Sequence, residues 1–148
     1  MPWRISGAFL LLRGWLQRPG TLRRAQAFGD LTESRPTADA TYTGLMVGTP
    51  ARGAQRDNLL QGDATLTFTA ADNQLDATFS DIKDLDHNTA HSVTEVRFRD
   101  VPVSSGGTYA QGAGANRIEG AFYGTGHAET AGVFEQQGIV GAYGAKKQ

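Results

Sequence analysis

The chain predicts an all-β fold: a small soluble antiparallel up-and-down β-barrel of about eight strands, with a basic, weakly structured or helical N-terminal extension. Three observations predict it. Glycine accounts for 19 of 148 residues and only 20% of residues are charged; with many threonines, this composition suits short strands and frequent turns better than helices, which favour Ala, Leu, Glu and Lys. From Thr41 onward apolar and polar side chains alternate at a period of two, the period of a strand with one face inward. In the last third, "IEGAFYGTGHAETAGVFEQQGIVGAYGAKKQ" sets glycines against aromatic rings in three successive segments, which reads as the closing wall of a tightly curved sheet.

A chain of this length fits one domain and buries roughly two thirds of the surface its unfolded form exposes. We divide it into a basic extension, residues 1–35, and a barrel domain, residues 36–148. Arg4, Arg13, Arg18, Arg23 and Arg24 all precede the first acid, Asp30. The remainder is therefore acidic, which argues against nucleic acid as its partner. There is no cysteine, so disulfides, thiolate metal sites and cysteine nucleophiles are absent. The opening "MPWRISGAFLLLRGWLQRPG" has a basic start and a short apolar run. Arg13 interrupts that run and no small-residue cleavage pattern follows, so it reads poorly as a secretion signal. It also falls short of the about 20 apolar residues that a spanning helix needs. We read it as a frayed or weakly helical extension, with membrane-surface association through Trp3, Phe9, Leu11 and Trp15 as the functional reading. Pro19 and Gly20 end any helix there.

The strands follow in order. Thr41, Thr43, Leu45 and Val47 alternate with Tyr42, Gly44, Met46 and Gly48, before Pro50 and Gly53 break the pattern. Ala64, Leu66 and Phe68 then face inward against Thr65, Thr67 and Thr69. "AADN" turns the chain into a partner strand with Leu75, Ala77 and Phe79. Val96 and Phe98 alternate with Glu95, Arg97 and Arg99, and "SSGG" supplies the next turn. A short strand around Tyr109 leads into the glycine-aromatic segments: Gly120, Phe122 and Gly124; Gly132 and Phe134; and Gly141, Tyr143 and Gly144. Outward positions carry Thr65, Thr67, Glu95, Arg97, Arg99 and Glu119, where a barrel facing lipid would carry an apolar band.

The strand-opening "ATYTG", the central "GDATLTFTAADNQLDATFSDI", and "GAFYGTGHAETAGVF" followed by "GIVGAYGAKK" resemble the β-barrel domain of the transferrin-binding protein B family over residues 36–148. Its most specific signature is Gly120, Phe122, Gly124, Ala128, Glu129, Gly132, Phe134, Gly141 and Gly144, all barrel-forming positions. The resemblance implies a non-enzymatic binding module of Gram-negative bacteria, displayed at the outer-membrane surface as a lipoprotein and engaging a host or secreted protein through its variable loops. This chain offers no cysteine for a lipid. The candidate partner loops are "TPARGAQRDN", with Arg52, Arg56 and Asp57, and "DLDHNTAHS", with Asp86, His87 and His91.

Two sharper readings compete within the second loop. From Asp84 to Glu95, oxygen side chains occupy the first, third, fifth, ninth and twelfth positions of a calcium loop. Its sixth position is Thr89, however, where an EF-hand needs glycine, and strands flank it instead of helices. His87 and His91 would share one face of a helix as metal or haem ligands, but Asn88 and Thr89 favour a loop. His127 lies in the turn "GTGHAE", near Glu129. No metal and no cofactor is expected. There is no G-x-S-x-G elbow, P-loop or complete dinucleotide fingerprint, so no enzyme is expected either. The alternative to a protein-binding module is a carrier of a small apolar ligand or haem in the barrel mouth, which needs space among Phe68, Phe79, Phe98, Phe122 and Phe134.

Overall fold

The computed structural model describes residues 31–148, so most of the extension, including Trp3, Phe9, Leu11 and Trp15, lies outside the described residues. The described chain is all-β, with nine antiparallel strands in one sheet and no helix among the described residues. They are β1 (Ala40–Pro50), β2 (Leu60–Thr69), β3 (Gln74–Asp84), β4 (Thr89–Ala90), β5 (Val96–Pro102), β6 (Thr108–Ala113), β7 (Asn116–Tyr123), β8 (Glu129–Gln136) and β9 (Ile139–Lys147). β1 to β3 and β6 to β9 pair in sequence, β4 and β5 both pair with β3, and β9 returns to pair with β1. The strand absent from the sequence reading is β4, two residues laid against Lys83 and Asp84 of β3.

The sheet curls as a barrel would, but its ladder is not closed. β5 pairs with β3 on one side and β6 with β7 on the other, and the isolated bridge Val103 to Tyr109 is all the strand pairing described between the two edges. Two features keep the ladder from zipping up. Pro102 ends β5 without an N–H to donate. Asp100, with φ at 55°, bulges the strand between Phe98 and Val101, its N–H donating to the Asp76 carboxylate at 2.8 Å. Gln111 then spans the seam with a side chain, donating to the Arg99 carbonyl at 2.9 Å. A second bulge, around Asp81 with φ at 51° and opposite Gly62, resets β3 so that Ile82 and Asp84 point inward after Phe79. Both bulges place an aspartate in the left-handed region, which its short polar side chain tolerates.

The interior is filled with rings. Phe68, Phe79, Phe122 and Phe134 are inaccessible, and Phe98 is 4% exposed. Phe79 stacks on Phe134 with centroids 4.4 Å apart, Tyr143 leans on Phe79 at 5.0 Å, and Phe122 gathers Tyr42, Phe68 and Tyr109 within 6.0 Å. The space that the carrier reading requires is thus occupied, and a ligand would have to displace the Phe79–Phe134 stack.

The glycine-aromatic segments explain this filling. Gly120, Gly132 and Gly141 face inward beside Phe122, Phe134 and Tyr143. A methyl at Gly120 would sit 2.5 Å from the hydroxyls of both Tyr109 and Tyr143, and one at Gly141 would sit 2.5 Å from the Phe134 ring. At Gly132 it would meet the Glu119 carbonyl, the Tyr143 hydroxyl and the Gly120 backbone. The rings therefore lie over bare backbone, and their hydroxyls are spent internally. Tyr143 donates to Tyr109 at 2.8 Å, and Tyr109 bonds Thr130 at 2.7 Å. Thr130 in turn donates to the Ala121 carbonyl at 2.9 Å.

Two predictions follow from this packing. Gly132→Ala should cost about 1–3 kcal/mol through overpacking against backbone that cannot give way, whereas Gly106→Ala, whose methyl would meet only the Ser104 hydroxyl at 3.8 Å, should be near neutral in denaturant midpoint. Burial pushes the Tyr42 phenol up to about 12 and raises Tyr109 and Tyr143 well above the ordinary 10.0 too. A raised acid favours the folded state below its ordinary value of 10.0 and loses that contribution as pH climbs through the raised one. Unfolding free energy should therefore fall between pH about 10 and 12, and less steeply in Tyr143→Phe; equal slopes would refute this assignment.

Candidate functional site

The antiparallel meander sends the connections alternately to two ends. One end carries the loop 51–59, the loop 85–95 and the short turns after β6 and β8. The sequence named the first two loops separately, and the fold brings them into contact. Five of the six candidate side chains there, Arg52, Arg56, Asp57, Asp86 and His87, are exposed, and His91 is half-buried.

Asp84, at the end of β3, is what joins the loops. The bulge at Asp81 turns its side chain inward, and it is 2% exposed. One carboxylate oxygen accepts the backbone N–H groups of Asp86 and His87, at 2.9 and 3.2 Å. The other accepts the Asn58 amide at 2.7 Å and lies 3.1 Å from His87 Nδ1. Asp86 accepts the Leu59 N–H at 3.0 Å, and the Leu85 N–H donates to the Leu59 carbonyl at 2.9 Å. The neighbouring turns fasten the same end: Ala51 N–H donates to the Gly138 carbonyl at 2.7 Å, and Asp57 N–H to the Thr49 hydroxyl at 3.1 Å. The Asn58 amide, foremost, holds the Asp84 carboxyl below its ordinary range against the opposing effect of burial, with His87 and the two backbone donors adding to it.

The oxygen spacing that resembled a calcium loop thus folds the chain back onto β3. Asp84 and Asp86 both accept donors of the protein itself. His87 and His91 lack the helix that would align them: Asn88 takes φ of 52°, β4 follows in extended form, and the His91 N–H donates to the Ile82 carbonyl. The sequence reading missed the roles of Asn58 and Asp84. The signal for Asp84 was an aspartate ending an apolar strand, hidden by the phase change at Asp81.

The opposite end is built on His127, in the β7–β8 turn with φ of 57°. Its Nε2 lies 3.0 Å from the Ser34 carbonyl, which can only accept, so that nitrogen carries the proton. Its own carbonyl accepts the Tyr42 hydroxyl at 2.7 Å. Thr32 bonds the Phe122 and Gly124 carbonyls and Lys147 bonds Gly126, so the chain entry at 31–34 is tied to this turn. His127 is therefore engaged by Ser34, whereas Glu129, pushed up by burial and pulled back by Lys146, begins β8 on the outward face. Of the other signature positions, Gly124 sits in the turn with φ of 82°, Ala128 closes it, and Gly144 faces outward.

Asp84→Ala should leave the Asn58, Asp86 and His87 donors without their acceptor and lower the denaturant midpoint. Hydrogen exchange should speed up in both 51–59 and 85–91 while the amides of β7–β9 stay protected; loss of protection in only one loop would break the link. A lowered carboxyl favours the folded state above its ordinary 3.8 and loses that contribution as pH falls through the lowered value. In the native chain both loops should accordingly loosen together as pH drops below about 4.

No family model matches the chain, and no curated protein does. Among solved structures, a protein described as a surface lipoprotein aligns at 14% identity with a TM-score of 0.53, over 83% of this chain and 66% of that one. Isotype 1 transferrin-binding protein B from serogroup B Neisseria meningitidis aligns at 15% identity and a TM-score of 0.53, over 80% of this chain and 33% of that one. Transferrin-binding protein B from Actinobacillus pleuropneumoniae, a vaccine antigen, aligns at 14% identity and a TM-score of 0.51, over 83% and 67%. The chain thus spans between a third and two thirds of these structures, and the likeness shows a fold of the transferrin-binding protein B type.

Proposed function

We propose that the chain is a non-enzymatic binding module that engages a protein partner at a cell surface through the paired loops 51–59 and 85–95. The observation that carries this reading is the pairing itself. Two exposed loops are locked together through one buried carboxylate at the rim of a ring-filled scaffold. A rigid scaffold that presents preformed loops lowers the ordering cost of association. The exposed Arg52, Arg56 and His87 stand beside Asp57 and Asp86, a mixed polar surface suited to a macromolecule. The rings of Phe68, Phe79, Phe122 and Phe134 occupy the space that a small-molecule carrier would need. The neighbours point the same way: two are named for binding transferrin and one is a surface lipoprotein.

Capture of a secreted or host protein by the immobilised full chain tests the proposal. Replacing residues 52–56 with glycine and serine spares Asp57 and Asn58, which hold the loop. It should weaken capture about tenfold or more, the loss expected when interface anchors go. Arg56→Glu should do much of the same, and Thr67→Glu on the outer face of β2 should do nothing. Capture that survives both loop changes would exclude this end as the binding surface.

A further inference from the structure

The seam between β5 and β6 leaves backbone groups with no strand opposite them. Among the described strands β5 ladders with β3 and β6 with β7, and beyond the bridge Val103 to Tyr109 the two edges do not pair. Alternation fixes which groups face the gap. Gln111 reaches the Arg99 carbonyl at 2.9 Å and Gln137 the Glu95 carbonyl at 3.4 Å, so both carbonyls point away from β3. Arg97 lies between them at the strand period, and its N–H and C=O point the same way. On β6 the Gly107 carbonyl takes the Phe122 N–H of β7, while the Thr108 carbonyl takes the Ser104 N–H. The C=O of Ala110 and the N–H of Gly112 therefore face the gap too. Arg97, Arg99, Ala110 and Gly112 are all exposed, and glutamine side chains stand where ladder bonds would run.

We propose that this seam takes an extended segment of a partner protein as an added strand, acidic on its outward face and small on its inward one. In strand addition the main-chain bonds supply affinity and alternate side chains supply selectivity. Charge selects the outward face. β5 carries Arg97 and Arg99 against one acid, Asp100, and β6 carries no charge. Arg97 is bonded to Glu95 at 2.7 Å, whereas Arg99 has no ionic partner among the described residues. Packing selects the inward face: Phe98, Val101 and Tyr109 beneath the seam are at most 4% exposed, which leaves no space for a bulky side chain. A second copy fits less well, because β5 laid against itself sets arginine against arginine. The bulge at Asp100 and the two arginines thus guard the edge against indiscriminate pairing while attracting an acidic strand. Gln111 is the placeholder, its amide holding the Arg99 and Asp100 carbonyls that an incoming N–H would take. The seam lies between β5 and β6 whereas loop 51–59 joins β1 to β2, so this site goes beyond the loop reading and stands apart from it.

The probe is a labelled peptide with blocked ends that repeats Glu-Ala-Thr-Ala, added to the full chain and followed by anisotropy and by hydrogen exchange. In the chain alone the amides of Arg97, Arg99 and Gly112 should exchange fast at every protein concentration, and the peptide should slow all three. A version with lysine for glutamate should bind several-fold more weakly, and one with proline for threonine, which cannot complete a ladder, should not bind. Arg99→Glu should reverse the order of the acidic and basic peptides with the strand circular dichroism unchanged. Gln111→Ala, which frees the two carbonyls, should tighten binding of the acidic peptide several-fold, and Thr67→Glu should leave it as it was. Amides already protected in the dilute chain, or unaffected by the acidic peptide, would overturn the proposal. Protection that appears only as protein concentration rises would overturn it as well, making the seam a contact between copies. The peptide reads the seam without any captured protein, so failure here and failure of the loop reading are separate results.

Discussion

Three inward glycines, Gly120, Gly132 and Gly141, let aromatic rings lie directly on backbone, and most of the molecule depends on that close approach. Without a Cβ at these positions, Tyr109, Tyr143 and Phe134 can reach across the interior of a strongly curved sheet. The rings then fill what would otherwise be a lumen. A filled lumen has two consequences. It gives the sheet a close-packed core at a length where surface-to-volume scaling leaves little margin. It also places rings where a ligand in the interior would have to sit, with Phe79 stacked on Phe134.

At the rim the organising element is electrostatic. Asp84 is a buried carboxylate, and burying a charge is costly unless hydrogen bonds compensate. Its compensating donors come from the other loop and from its own, so the fold's remedy for one buried charge is also the device that fixes two loops against each other. The Tyr143, Tyr109 and Thr130 chain solves the same problem with neutral groups. In both places a polar group is tolerated inside because its partners are local and complete.

Much of this was legible in the sequence. Alternation in β2 and the glycine-ring spacing of β7 to β9 specified inward residues, and alternation in β1 and β3 specified strands, because period two is a direct imprint of the pleat. What the sequence concealed has one physical origin. A bulge inserts a residue and inverts the phase, and a hydropathy pattern read at fixed period cannot see it. Asp81 and Asp100 each do this, and their inversions hide the inward turn of Asp84 and the open seam beside β5. β4 escaped for a different reason: two exposed residues held by pairing alone carry no hydropathy signal. The loop contact through Asn58 was illegible because it joins residues 26 apart in the chain by a bond that no local pattern encodes.

The two halves of the sheet also differ in a way that composition blurs. β2 and β5 present threonine, aspartate and arginine outward, the signature of strands with one wet face. β7, β8 and β9 carry small or apolar residues outward at Ala121, Ala131, Val133, Ala142 and Gly144, between the charged Arg117, Glu119, Glu129, Glu135 and Lys146. Glycine and alanine in the closing segments therefore serve two surfaces at once: Gly120, Gly132 and Gly141 admit rings within, while Ala121, Ala131, Ala142 and Gly144 flatten the surface without. Their small size and low exposure on the outer face are a second demand on these strands. It belongs to the same stretch of sequence as the ring packing because the strand period interleaves two independent demands in alternate residues.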